Sequence, residues 1–148
     1  MDRRYYFAYG SNMEEKPMRS RCRGAVLVGK ARLDGYRFSI NSKGYATIVP
    51  DRKSAVYGLI WDITKSDELR LDGYEAVDTD LYRKLNKRIF RIDIKNRKLG
   101  AGIRALLYIS AETKVGRARR RYIEKIVSAS KTHKFPKAYI NDIEKWQD

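Results

Sequence analysis

Cysteine and histidine are nearly missing from this 148-residue chain, each occurring once, as Cys22 and His133. A lone thiol excludes an internal disulfide, which fits a reducing compartment and a cytoplasmic location. Cys22 lies in Arg19-Ser20-Arg21-Cys22-Arg23, where cationic neighbours favour a thiolate; the plainer reading is a thiol without a role. A His-based metal site would lack a second histidine, and a Ser/His or Cys/His pair would have to use His133 itself. Chemistry therefore falls to carboxylates, tyrosines and backbone amides. Long apolar runs are missing too. None approaches the roughly 20 residues that span a bilayer, and the charges of Met1 to Tyr6 are followed by no apolar stretch, so neither a signal peptide nor a membrane partner is expected. The only prolines, Pro17, Pro50 and Pro136, fall in expected turns or element starts. Without linker, repeat or low-complexity segment, the expectation is one domain over residues 1–148.

What is present is a foldable core and a large positive charge. Apolar residues make up 43% of the chain, enough for a globular fold. Lysine and arginine number 33 against 18 acidic residues, a net charge of +15. Such a field suits nucleic acid, an anionic small substrate, or simply a charged surface.

The first two thirds read as strands. Tyr5 to Tyr9 is aromatic and ends at Gly10. Ala25 to Leu33 follows, Gly35 breaks the pattern, and Tyr36 to Ile40 alternates with period two. A turn over residues 41–44 leads to Tyr45 to Val49, and Ser54 to Asp62 is apolar on both faces, the mark of a central strand. Thr64 or Ser66 can cap a short helix that runs through Leu69 and Leu71 towards Gly73, with Asp67 and Glu68 suited to its first turn. Leu81 to Ile94 and Ile103 to Ser110 make a hairpin across Lys95 to Gly102. The period then turns helical from Lys114 to Ser130, where Ala118, Tyr122, Ile126 and Ala129 share a face, and again from Pro136. The implied class is α+β: a closed or nearly closed, barrel-like mixed sheet with flanking helices.

Two segments carry candidate chemistry. In Tyr9-Gly10-Ser11-Asn12 the glycine permits a positive φ, and the Ser11 and Asn12 side chains can bond their own backbone. Such a turn aligns N–H groups as a receptor for a carboxylate or oxyanion, although turns of this composition are common. In Leu71-Asp72-Gly73-Tyr74-Glu75-Ala76-Val77, a carboxyl sits at a helix end among apolar neighbours that raise its pKa towards neutrality; taken alone it reads equally as a solvated loop acid. Asp72 competes with it. Asp78 and Asp80 lie close in sequence, without metal-ligand spacing.

Together these segments resemble the γ-glutamyl cyclotransferase family. Phe7-Ala8-Tyr9-Gly10-Ser11-Asn12 is similar to its N-terminal signature. Ala31-Arg32-Leu33, Tyr36, Ala46-Thr47-Ile48 and Val56-Tyr57-Gly58-Leu59-Ile60-Trp61 resemble its strands. Leu71 to Val77 resembles the segment bearing its catalytic glutamate. Tyr122-Ile123-Glu124-Lys125-Ile126 and Phe135-Pro136-Lys137-Ala138-Tyr139-Ile140 resemble its last helices. The resemblance implies a barrel-like sheet with flanking helices and an enzyme that cyclises a small γ-glutamyl substrate to 5-oxoproline, releasing an amino acid or amine. It implies no metal or organic cofactor. It assigns Glu75 as acid/base, Tyr6, Phe7, Ala8, Tyr9, Gly10, Ser11 and Asn12 as binding loop, Tyr122 as substrate contact, and Tyr82 and Tyr139 as wall. A monomer or homodimer is expected.

One stretch departs from the family pattern. Members of its amino-acid branch often carry glycines near the last two helices where this chain has Ser128 to Pro136, so amino-acid, amine and amide leaving groups all stay open. Arg117-Ala118-Arg119-Arg120-Arg121 with Lys125 describes a cationic helix. It leaves a competing reading, an inert relative or a basic binder of nucleic acid or an acidic partner, beside the plain one of a solvated face. Nucleic acid is not the expected partner.

Overall fold

Alternation sets the strands, and local irregularities bend them into a ring. The computed structural model describes residues 3–75, 81–112 and 114–147. Strands β1 (Arg3–Ala8), β2 (Val26–Ile40), β3 (Ala46–Thr64), β4 (Tyr82–Ile92) and β5 (Lys98–Ser110) form a closed barrel in the order β1-β3-β2-β4-β5. Neighbours are antiparallel except at the closure, where β1 meets β5 in parallel at Tyr6 and Leu106. Helices α1 (Glu15–Arg21), α2 (Lys65–Tyr74), α3 (Arg120–Thr132) and α4 (Lys137–Glu144) complete the α+β fold. No described helix is long and apolar enough to cross a membrane.

Several expected boundaries shift, each for a local reason. Gly35, at φ 84°, does not end a strand. It marks a bulge where the β2/β3 register slips between Asp34 and Tyr36, so the two expected segments are one bent strand. Pro50 pairs with Tyr36 beside that bulge, where the ladder is already interrupted, and β3 runs through it. The β4/β5 turn is tighter than expected. Asp93 accepts the N–H groups of Lys95 and Arg97 at 2.9 Å each, and Asn96 takes the left-handed φ of 64°. α3 starts at Arg120 rather than Lys114, because Val115 bridges to Asn41 and Gly116 lies against the same residue. Ala118, Arg117 and Arg119 therefore precede the helix, and no continuous cationic helix spans Arg117 to Arg121.

β3 is central as expected, paired with β1 on one side and β2 on the other, and buried from Val56 to Trp61. Full burial of side chains such as Phe7, Leu59, Ile60 and Trp61 contributes about 1.5–3 kcal/mol each. The β1/β3 contact is closest at Gly58, where a Cβ would lie 2.2 Å from the Ala8 carbonyl oxygen. Gly58→Ala is therefore expected to cost about 3 kcal/mol, read as a lower denaturation midpoint. An unchanged midpoint would show that the two strands separate freely.

Candidate functional site

The chain leaves β1 through Tyr9 and Gly10 into a 3-10 turn over Ser11–Met13. Gly10 does not adopt the expected positive φ; its φ is −116°. Its small size is what matters, since a Cβ would lie 3.3 Å from the Ala46 Cβ and 3.4 Å from the Tyr122 hydroxyl. Hydrogen bonding within the turn begins with Met13 N–H to Gly10 O and Glu14 N–H to Ser11 O, both 3.1 Å. The Ser11 and Asn12 amides precede that ladder and have no partner in it.

The Ser11 and Asn12 side chains do not cap their own backbone, contrary to expectation, but tie the turn to its surroundings. Ser11 Oγ lies 3.1 Å from the Tyr74 hydroxyl. Asn12 is buried; its Nδ2 donates to Tyr6 Oη at 3.0 Å, its Oδ1 accepts from Arg21, and its carbonyl accepts from Trp61 Nε1 at 3.2 Å.

A cavity of about 240 Å³ gathers most of the sequence-derived candidates: Tyr6, Phe7, Tyr9, Gly10, Ser11 and Asn12 meet Glu75, Tyr82 and Tyr122 around it. Two candidates are not on its wall. Ala8 turns its carbonyl to Gly58. Tyr139 packs under α4 with its ring 5.0 Å from that of Tyr57, whose carbonyl accepts its hydroxyl at 3.3 Å. The wall also includes Tyr45, Ala46, Tyr74, Leu81 and Tyr108, which sequence reasoning missed. Tyr74 adjoins Glu75 and was legible; Tyr45 and Tyr108 are delivered by barrel closure, and no local pattern marks them.

Glu75 caps the end of α2, its N–H donating to Leu71 O at 2.8 Å. Burial pushes its carboxyl from 4.5 up to about 7, and nearby Arg21 opposes the rise. The rival Asp72 is committed elsewhere, accepting from the Tyr108 hydroxyl at 2.7 Å and Lys84 Nζ at 3.2 Å. Asp78 and Asp80 lie outside the described residues. Among the described residues no group of three or more His, Cys, Asp or Glu gathers to hold a metal. Cys22 is buried, and burial, with Asp67 adding to it, pushes its thiol up to about 11. The thiolate reading therefore fails despite the arginines beside it. His133 stacks on Phe135 beyond α3, off the cavity wall.

The tyrosine hydroxyls divide into two sets. Tyr9 donates to Tyr108 O, Tyr108 to Asp72, and Tyr82 to Ala46 O at 2.6 Å. Tyr6 and Tyr122 instead accept, from Asn12 Nδ2 and, at 2.9 Å, from Ala46 N–H. Burial raises both above the ordinary tyrosine value, so both keep their protons. Among the described residues no protein acceptor takes either proton, and both side chains face the cavity.

The fold that carries this cavity is shared with known proteins. A family model described as gamma-glutamyl cyclotransferase, AIG2-like, matches residues 6–126, and the chain belongs to that family. The curated bovine gamma-glutamylcyclotransferase is 31% identical over 87 residues, covering 52% of this chain and 46% of its own length. The human protein of the same name is 30% identical over the same span. The match thus covers about half the length of these curated relatives. Among solved structures, a gamma-glutamyl cyclotransferase superposes with a TM-score of 0.84 at 23% identity, covering 97% of this chain and 87% of that one. A yeast gamma-glutamyl cyclotransferase specific to glutathione gives 0.64 at 12% identity, covering 99% and 96%. At these identities the solved structures establish the shared fold.

A carboxyl whose folded pKa lies above its unfolded value stabilises the fold below the unfolded value and loses that contribution as pH rises through the folded one. For Glu75 the window runs from 4.5 to about 7. Stability is expected to fall by up to about 3 kcal/mol across it, and Glu75→Gln to remove that fall. Denaturation midpoints of both proteins from pH 4.5 to 8.5 check this; parallel curves would contradict the burial of the charge.

Proposed function

We propose that this chain is a γ-glutamyl cyclotransferase, turning a γ-glutamyl amino acid or amine into 5-oxoproline and the free amine, with Glu75 as acid and base. The observation that carries the reading is a carboxyl poised near pH 7 in the same small cavity as a turn with two amides that have no partner among the described residues.

The substrate's α-amine nitrogen attacks its own δ-carbonyl carbon, forming the ring C–N bond. Glu75 takes the proton that this nitrogen loses. The carbonyl π pair moves to oxygen, and fixed donors are worth most at that developing charge. The Ser11 and Asn12 amides and the O–H groups of Tyr6 and Tyr122 are the available donors. The pair then returns, the bond to the leaving nitrogen breaks, and Glu75 gives that nitrogen the proton it took. Substrate and Glu75 account for every proton and electron pair. Attack within one molecule needs a curled substrate more than a strong nucleophile, so a rigid cavity supplies much of the rate. A carboxyl near pH 7 can both accept and release a proton under neutral conditions.

A panel of γ-glutamyl amino acids and amines, followed by mass spectrometry of 5-oxoproline, tests the reading. Turnover of at least one compound is expected, with kcat/KM rising as pH increases through about 7. Glu75→Gln is expected to lose about a hundredfold or more. Tyr6→Phe and Tyr122→Phe are expected to lose about tenfold or more each in kcat, for one missing donor. No product across the panel, or an unimpaired Glu75→Gln protein, would sink the reaction.

A further inference from the structure

Two arginines lie over the rings of tyrosines in the cavity wall. Arg21, the last residue of α1, sits 3.6 Å from the centre of the Tyr74 ring and donates to Asn12 Oδ1. Arg119, just before α3, sits 4.9 Å from the centre of the Tyr45 ring, and its Nε donates to Lys43 O at 3.1 Å. Tyr45 in turn meets the Tyr122 ring edge-on at 5.4 Å. Among the described residues neither arginine is ion-paired.

The position of Arg119 is fixed by its backbone. The Val115–Asn41 bridge straps residues 115–119 onto the turn before β3, and Arg119 N–H donates to Gly44 O at 3.4 Å. Gly44 makes room for this. Its φ is +90°, and a Cβ there would lie 2.9 Å from both Arg119 Cγ and Arg117 O. A guanidinium stacked on a ring and tethered through Nε has little freedom left to lose when it meets an anion. Its neighbourhood is cationic. Glu112, whose carboxylate accepts from Ser42 N–H at 2.9 Å, lies within the electrostatic reach of Lys43 and Lys114.

We propose that Arg119 sets the leaving-group specificity of this site, selecting γ-glutamyl conjugates whose released amine carries its own carboxylate over conjugates of simple amines. The proposal rests on the cyclotransferase reading. Arg21 is committed to the Asn12 side chain and lies beside Glu75, whereas Arg119 donates only its Nε, to Lys43 O, and among the described residues its remaining N–H groups are available to a second anion. A conjugate of a simple amine brings no such anion. The overall charge of +15 draws net-anionic substrates in from a distance; Arg119 adds discrimination at contact.

γ-Glutamyl-alanine and γ-glutamyl-ethylamine differ only by the carboxylate and form the test pair. The unmodified protein is expected to favour the alanine conjugate by tenfold or more in kcat/KM. Arg119→Gln is expected to shrink that ratio about tenfold, chiefly through KM, with Arg119→Lys keeping part of it. Arg88→Gln, an exposed β4 change, serves as a charge control and leaves the ratio unaltered. Added salt reduces the preference. Equal use of both compounds by the unmodified protein, or an undiminished ratio in Arg119→Gln, overturns the proposal. Calorimetric binding of the same pair to Glu75→Gln protein separates the two readings. Arg119-dependent preference in binding with no 5-oxoproline from any compound keeps the subsite and discards the reaction, whereas equal binding discards the subsite.

Discussion

The peptide group of Ala46 joins three elements that would otherwise frame the cavity independently. Its N–H donates to the hydroxyl of Tyr122 on α3, and its carbonyl accepts from the hydroxyl of Tyr82 on β4. Both hydroxyls are removed from bulk water, where an unpaired polar group costs about 1–3 kcal/mol, so the start of β3 is held against the helix and the neighbouring strand. Gly10 closes on the same residue at van der Waals distance. The turn after β1, the start of β3, α3 and β4 thus keep one spacing, and that spacing is the cavity. A second chain of contacts fixes the other wall. Tyr108 reaches Asp72, and Lys84 bridges Asp72 and the buried Glu68, which also pairs with Arg4. This clamps α2 to the barrel and with it the glutamate at the helix end.

Held there, Glu75 meets two opposing demands. Removal from water makes its carboxylate less favourable and carries its pKa into the range where a proton can be taken and returned. The same removal weakens the fold whenever the group is ionised. The Thr64/Asp67 capping box and the Glu68 ion pairs lie on the same short helix and offset part of that cost. Arg21 tempers it further without a direct ion pair. Function and stability therefore meet on α2, an arrangement in which a gain in one is commonly a loss in the other.

Much of the fold was legible because period and position agreed. The two apolar faces from Val56 to Trp61 marked a central strand, and β3 is paired on both sides. Gly35 and Pro50 were misread as breaks, because a bulge uses the same residues that end a strand. Arg117 to Arg121 looked like one cationic helix until Gly116, packed on Asn41, was seen to keep the preceding segment extended. Glu75 was not legible from physics alone, since a glutamate after Gly-Tyr is an ordinary loop acid. Only the family likeness singled it out. Tyr139 erred the other way: the likeness set it on the wall, but its ring is taken up by Tyr57 and Phe135. Tyr45 and Tyr108 could not be found, nor could the placement of Arg119 over the Tyr45 ring, because each depends on contacts distant in sequence.

The parallel closure of β1 on β5 has a consequence for how the molecule comes into being. Tyr6 is made 100 residues before its strand partner Leu106. Until then one edge of β1 lacks its ladder, and the aromatic run Tyr5-Tyr6-Phe7 is a sticky template for other chains. Contacts of such long range also slow folding, because the loop between them must be closed before they reward it. The site thus closes only across that long separation, and a nascent chain stalled between β1 and β5 exposes the segment that later lines its cavity.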